Sequence, residues 1–114
     1  MRMAVVLVLC VVIARAAHAQ PAVYERCIAC HGGKIAGNDL GPSLAGVVGR
    51  KAGSRDDFRY SRALARSGIV WDEASLDAFI KDPDQFVPGT RMPFEGMPAD
   101  AERAAIIRHL KTLR

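Results

Sequence analysis

Cys27 and Cys30 stand three residues apart, and His31 follows directly. On a helix this spacing puts two thiols about one turn apart with an imidazole beside them. Cys27-Ile28-Ala29-Cys30-His31 is thus a C-x-x-C-H run, the attachment sequence for c-type haem. The spacing has a mechanical reason. Both thiols can reach the vinyl groups on one edge of a porphyrin while the next side chain turns under the iron. Two thioethers would hold the haem, and His31 would supply a nitrogen ligand. Because both thiols would be consumed, no reactive cysteine would remain in residues 20–114.

Other chemistries use the same residue types. A thioredoxin-like dithiol expects a βαβ setting, which this chain lacks. A zinc site needs four ligands, and the only other histidine in residues 20–114 is His109. A chance triplet would leave an exported chain with two unexplained thiols. Haem attachment is the reading that uses all three residues. A haem held by one histidine commonly takes methionine sulfur as its second axial ligand. Residues 20–114 contain Met92 and Met97. Either alone could fill a gap in a core. Met92, however, sits in Pro88-Gly89-Thr90-Arg91-Met92-Pro93, a rigid loop able to hold a sulfur against a metal.

The elements that must position these groups are helical. Apolar residues recur at helical spacing from about Asp72 to Asp82, where Leu76, Phe79 and Ile80 share a face, Asp72 can cap, and Asp82-Pro83 stops the run. They recur again from about Ala99 to Leu113. There Ile106, Ile107, Leu110 and Leu113 make a stripe, with Asp100 and Glu102 at the start and Arg108, Lys111 and Arg114 at the end. A shorter helix from Ser61 to Arg66 would end at Gly68, and another would lead from Pro21 into Cys27. Turn residues fill the rest: Gly32-Gly33, Gly37-Asn38-Asp39, Gly41-Pro42, Gly49, Gly53 and Pro88-Gly89. No sustained alternation of β-branched residues appears. The fold class is therefore all-α, four or five short helices with long connections, which a compact chain of this size tolerates when the loops wrap something.

Composition excludes several alternatives. The chain has 114 residues, half of them apolar, with 16 basic and 12 acidic side chains. That suits one compact domain. Residues 1–19 read as a cleaved secretory signal peptide: Arg2, then 12 apolar residues from Met3 to Ala14, then Ala17-His18-Ala19 as an A-x-A site. The run is shorter than the roughly 20 residues a membrane span needs. Cys10 lies inside it and would leave with it. Loss of Arg2 and Arg15 lowers the 16 basic residues to 14, so the domain 20–114 carries only +2. Arg and Asp alternate, as in Arg55-Asp56-Asp57-Phe58-Arg59, and aromatics make up 6%. Neither a clustered basic face nor a stacking platform is present, and nucleic acid is set aside as a partner.

From Cys27 to Leu113 the chain resembles class I c-type cytochromes, the mitochondrial type and its bacterial relatives. Beside C-I-A-C-H the resemblance rests on Gly41-Pro42-Ser43-Leu44-Ala45-Gly46, Val48-Gly49-Arg50-Lys51-Ala52-Gly53, Phe58-Arg59-Tyr60-Ser61, Gly68-Ile69-Val70-Trp71 and Pro88-Gly89-Thr90-Arg91-Met92. It implies the cytochrome c fold around one haem c bound through Cys27 and Cys30, with His31 and Met92 as iron ligands. It also implies that the Pro42 carbonyl accepts a hydrogen bond from His31. Arg50, Tyr60, Trp71 and Thr90 occupy the positions that in the family surround the haem propionates. Three departures accompany it. Leu64 and Phe79 stand where the mitochondrial type often has asparagine and tyrosine, which thins the polar network near the sulfur. His109 replaces an aromatic, with Tyr24 as its expected partner. Asp84 and Gln85 stand where lysines are frequent, leaving Arg26, Lys34 and Arg91 as basic candidates on the docking face and making electrostatic steering modest.

The function this implies is a soluble, monomeric, periplasmic one-electron carrier in a respiratory or other redox chain, not an enzyme. Its partners would be membrane cytochrome complexes, oxidases, reductases or periplasmic dehydrogenases, met transiently and without membrane insertion. A peroxidase-like or ligand-sensing protein with a labile methionine is the alternative.

Overall fold

The computed structural model describes residues 20–32 and 40–114, so the expectations for the signal segment, Cys10 and Lys34 lie outside the described residues. A 3-10 turn at Ala22–Tyr24 leads into α1, Glu25–His31. Then follow α2 (Arg62–Ala65), α3 (Glu73–Lys81), α4 (Pro83–Phe86) and α5 (Asp100–Leu110). One antiparallel bridge joins Lys51 and Val70. There Trp71 N–H donates to the Arg50 carbonyl at 2.9 Å and Ala52 N–H to the Ile69 carbonyl at 2.8 Å. The all-α expectation holds.

α3 begins where its cap chemistry dictates. The Ser75 N–H donates to the Asp72 carboxylate at 2.8 Å, and the Asp72 N–H donates back to the Ser75 hydroxyl at 2.9 Å. Two otherwise unpartnered helix-end donors are thereby satisfied. Leu76, Phe79 and Ile80 are buried on one face, each contributing roughly 1.5–3 kcal/mol by leaving water. α2 is shorter than Ser61 to Arg66. Ser61 caps it by accepting from Leu64 N–H at 3.1 Å, and the Ser67 hydroxyl closes its far end on the Leu64 carbonyl at 2.8 Å.

One helix end carries more than the sequence pattern shows, and another falls short of it. Asp82-Pro83 does end α3, but it also starts α4: the Asp82 side chain accepts from Gln85 N–H at 3.2 Å, and Pro83 fills the first helical position. Proline loses nothing there, because that N–H would be unpartnered in any case and its φ is already helical. At the other end α5 stops at Leu110, not Leu113. Thr112 directs both its N–H (2.9 Å) and its hydroxyl (2.6 Å) to the His109 carbonyl, tightening the last turn. The Leu113 carbonyl then accepts from Gly46 N–H at 2.9 Å, tying the C-terminal tail to the loop after α1.

α3 packs on α4 and α5, and α5 packs on the N-terminal turn. Tyr24 meets the His109 ring at 4.5 Å between centroids, as the pairing of those residues anticipates. The core they share comprises Tyr24, Val47, Ala52, Trp71, Leu76, Phe79, Ile80, Val87, Met97, Ile106, Ile107 and Leu110.

Candidate haem site

The motif lies within α1, which runs through Cys27 and Cys30 to His31 instead of merely leading into them. Gly32 ends the helix with φ +79°, a left-handed backbone that glycine adopts without steric cost. The chain returns at Gly41-Pro42 and touches the motif. His31 Nδ1 lies 2.8 Å from the Pro42 carbonyl, an acceptor that assigns the proton to that nitrogen and leaves Nε2 with its lone pair. Gly41 permits this approach: a Cβ there would stand 2.8 Å from the Cys30 carbonyl oxygen and 2.9 Å from His31 Nδ1.

All nine site residues read from the sequence, Cys27, Cys30, His31, Pro42, Arg50, Tyr60, Trp71, Thr90 and Met92, line one cavity of about 760 Å³. That volume is in the upper part of the range, roughly 300–1,000 Å³, in which proteins enclose cofactors. Apolar side chains of three helices and the loops complete the wall, among them Leu44, Val47, Leu64, Leu76, Phe79, Ile80, Ile106 and Leu110. Met97 does not line it. Its side chain is fully buried in the core.

The polar groups of the wall divide by partner. Arg50 donates to the Ala45 carbonyl at 2.8 Å and the Ser43 carbonyl at 3.0 Å, so it organises the 43–45 loop as well as facing the cavity. The Thr90 hydroxyl accepts from Met92 N–H at 3.4 Å, leaving its own hydrogen to donate. The Tyr60 hydroxyl and Trp71 indole N–H make no hydrogen bond to any described residue. Tyr60 packs edge-on against Phe58 at 5.1 Å, and Trp71 tilts against Phe79 at the same distance. An apolar cavity with two thiols and an imidazole on one helix, a thioether on a separate loop, and several donors without acceptors among the described residues fits a porphyrin with carboxylate arms. Such arms need donors to leave bulk water.

Burial sets the protonation of the reactive groups. It holds the His31 imidazole below its ordinary range, a shift the bond to Pro42 partly opposes, so His31 is neutral and able to ligate. It pushes the Cys27 thiol up, against a smaller opposing effect of Arg26. Burial, followed by Cys27, pushes the Tyr24 hydroxyl up to about 12.

Four wall residues carry roles that the sequence reading did not assign. Gly41 supplies the close approach, and Asp57 brings a carboxylate to the wall, clamped by Arg55 at 2.8 and 2.9 Å. The Arg59 carbonyl accepts from the Arg91 guanidinium. Phe94 lies beneath the Arg26 guanidinium, 5.0 Å from ring centroid to charge. Of these only Gly41 had a sequence signal, the Gly-Pro pair. The others depend on how separate loops meet.

A profile of the family Cytochrome c matches residues 18–114. The chain belongs to the cytochrome c family. It is 44% identical over 93 residues to cytochrome c2 iso-2 of Magnetospirillum fulvum, covering 82% of this chain and 97% of that protein. To cytochrome c2 of Rhodoblastus acidophilus it is 45% identical, covering 81% and 87% of the two chains. Among solved structures, cytochrome cH from Methylobacterium extorquens superposes with a TM-score of 0.74 at 43% identity, over 79% of this chain and 91% of that one. As a cytochrome c, the protein binds haem c covalently through the Cys27 and Cys30 pair.

Proposed function

We propose that this cytochrome c is a one-electron carrier whose haem iron is ligated by His31 and Met92. When bound, the haem supplies a redox-active iron that accepts and releases single electrons. His31 offers Nε2, with its ring orientation fixed by Pro42. Met92 offers a sulfur from the Pro88–Pro93 loop, held by Thr90. With His31 and Met92 both holding the iron, no open coordination site would be left for substrate chemistry. Tyr60, Trp71, Thr90 and Arg50 are the donors available to the propionates, and the apolar wall excludes water.

The observation that carries this reading is the sorting of the two methionines: Met92 lines the cavity that holds Cys27, Cys30 and His31, whereas Met97 is buried away from it. The long-wavelength ferric band of methionine ligation tests it. The reading requires that band in the wild type and in Met97→Ala and its loss in Met92→Ala; the reverse pattern overturns it.

The relatives named cytochrome c2 support transfer between redox proteins through brief encounters at the cavity mouth, where Arg26, Arg59 and Arg91 are exposed. Interfaces of that kind are small and weak. The site of action is the periplasm, reached through residues 1–19 as a signal peptide cleaved after Ala19. No helix among the described residues is long and apolar enough to cross a membrane. N-terminal sequencing of the exported protein checks this, with Gln20 as the expected first residue or its cyclised form.

A further inference from the structure

Arg103 lies on α5, remote in sequence from the haem motif, and its side chain is only 3% exposed. All three of its guanidinium nitrogens are engaged. Nε donates to Asp77 of α3 at 2.8 Å, Nη2 to Asp100 at the start of α5, and Nη1 to the carbonyls of Met97 (2.9 Å) and Pro98 (2.8 Å). Those two carbonyls end the segment that begins at Pro88 and carries Met92. Arg103 therefore ties the far end of that segment to two helices at once.

Two further contacts fix the same place. Met97 N–H donates to the Ile80 carbonyl at 2.9 Å while its side chain fills the core. Gly96, at φ +108°, passes so close to the Lys81 carbonyl that a Cβ would overlap the oxygen. Upstream of this anchor the segment is tied to other elements by side chains, Arg91 to the Arg59 carbonyl and Phe94 under Arg26, and its backbone is sparsely bonded. Among the described residues the backbone of 91–96 bonds only within the segment, through Met92 N–H to Thr90 and Phe94 N–H to the Met92 carbonyl.

We propose that Arg103 is a positioning residue for Met92: by fixing the Met97-Pro98 end of the segment, it limits how far the sulfur can withdraw from the cavity. This rests on Met92 being the sulfur ligand. Withdrawal of the segment would strand either a buried guanidinium or the carbonyls it serves, and such stranding is costly. Lysine cannot reproduce the arrangement, because one ammonium replaces a planar fork that serves four acceptors on three elements. Local opening of this kind is distinct from global unfolding and admits external ligands to the iron.

Imidazole binding to the ferric holoprotein at constant pH, read beside global unfolding in guanidinium chloride, tests the proposal. Arg103→Lys is expected to bind imidazole at least tenfold more tightly than the wild type. Ile107→Ala, on the same helix but away from the cavity wall, is expected to lose global stability with little gain in imidazole affinity. Asp77→Asn, which loosens the tie to α3 but keeps the carbonyl bonds, should give a smaller gain and serves if Arg103→Lys does not mature. Adding Arg103→Lys to Met92→Ala should change imidazole affinity no further. If the Arg103 and Asp77 variants gain no more affinity than Ile107→Ala at matched stability, Arg103 is only a structural residue. A wild type that binds imidazole as tightly as Met92→Ala would instead show that the ligand reading had failed, and the positioning role with it.

Discussion

Gly41→Ala probes the contact on which the proximal side of the site depends. The new methyl would stand 2.8 Å from the Cys30 carbonyl oxygen and 2.9 Å from His31 Nδ1. Both neighbours are held, the oxygen by the helix backbone and the ring by its 2.8 Å bond to the Pro42 carbonyl, so neither can yield as a flexible side-chain tip would. Overpacking of this kind costs about 1–3 kcal/mol. Displacing Pro42 from His31 adds the loss of one hydrogen bond, about 1 kcal/mol. A total of roughly 2–4 kcal/mol in a domain of this size lowers Tm by about 10–25 °C, at several degrees per kcal/mol. The same displacement has an electronic consequence. The Pro42 carbonyl strengthens His31 as a donor, which favours ferric iron; its loss should raise the midpoint potential. Differential scanning calorimetry and potentiometry on the holoprotein measure both. A variant with the wild-type Tm and potential would refute the reasoning that Gly41 is kept small for the sake of the His31–Pro42 contact.

Other perturbations separate structure from ligation. Met97→Ala should cost about 2–5 kcal/mol by opening a cavity in the core yet preserve the ferric sulfur band, as chemical denaturation and absorption spectra will show. Ser61→Ala removes the α2 cap and should cost about 1 kcal/mol in the same denaturation assay with the band unchanged. The backbone N–H of Ser75 and then its hydroxyl hold the Asp72 carboxyl below its ordinary range. Its contribution to stability is therefore complete above the ordinary carboxylate pKa and lost as pH falls through the lowered one. The Tm gap between wild type and Asp72→Ala should narrow on going from pH 6 to pH 3, and a constant gap would contradict the cap's ionisation. The haem-free chain should be largely unfolded by circular dichroism, because the cavity wall has too little of its own to pack against; a cooperative apoprotein transition would overturn that expectation.

The parts legible in the sequence were those set by local chemistry. Asp72 announces the start of α3, the Leu76, Phe79 and Ile80 spacing its buried face, and the C-x-x-C-H run its cofactor. All nine site residues share one cavity because the motifs that carried the resemblance are the segments that wrap it. What local pattern concealed depended on meetings between distant segments. Pro83 reads as a stop, and only its position after a capping aspartate makes it a start. Arg103 carries no signal in the local pattern, since its acceptors at Asp77, Met97 and Pro98 come together only in the fold. The end of α5 at Leu110 turns on Thr112 competing for the His109 carbonyl, a choice that periodicity does not register.

The central claim is that one covalent haem sits in this cavity with His31 and Met92 on its iron. Its most direct test is the absorption spectrum of the exported holoprotein, ferric and then reduced, after co-expression with a haem-maturation system. The account predicts a covalently bound, low-spin haem in both states, with the weak red band of methionine ligation in the ferric form that disappears in Met92→Ala. A high-spin ferric spectrum, or a red band that survives Met92→Ala, would contradict it.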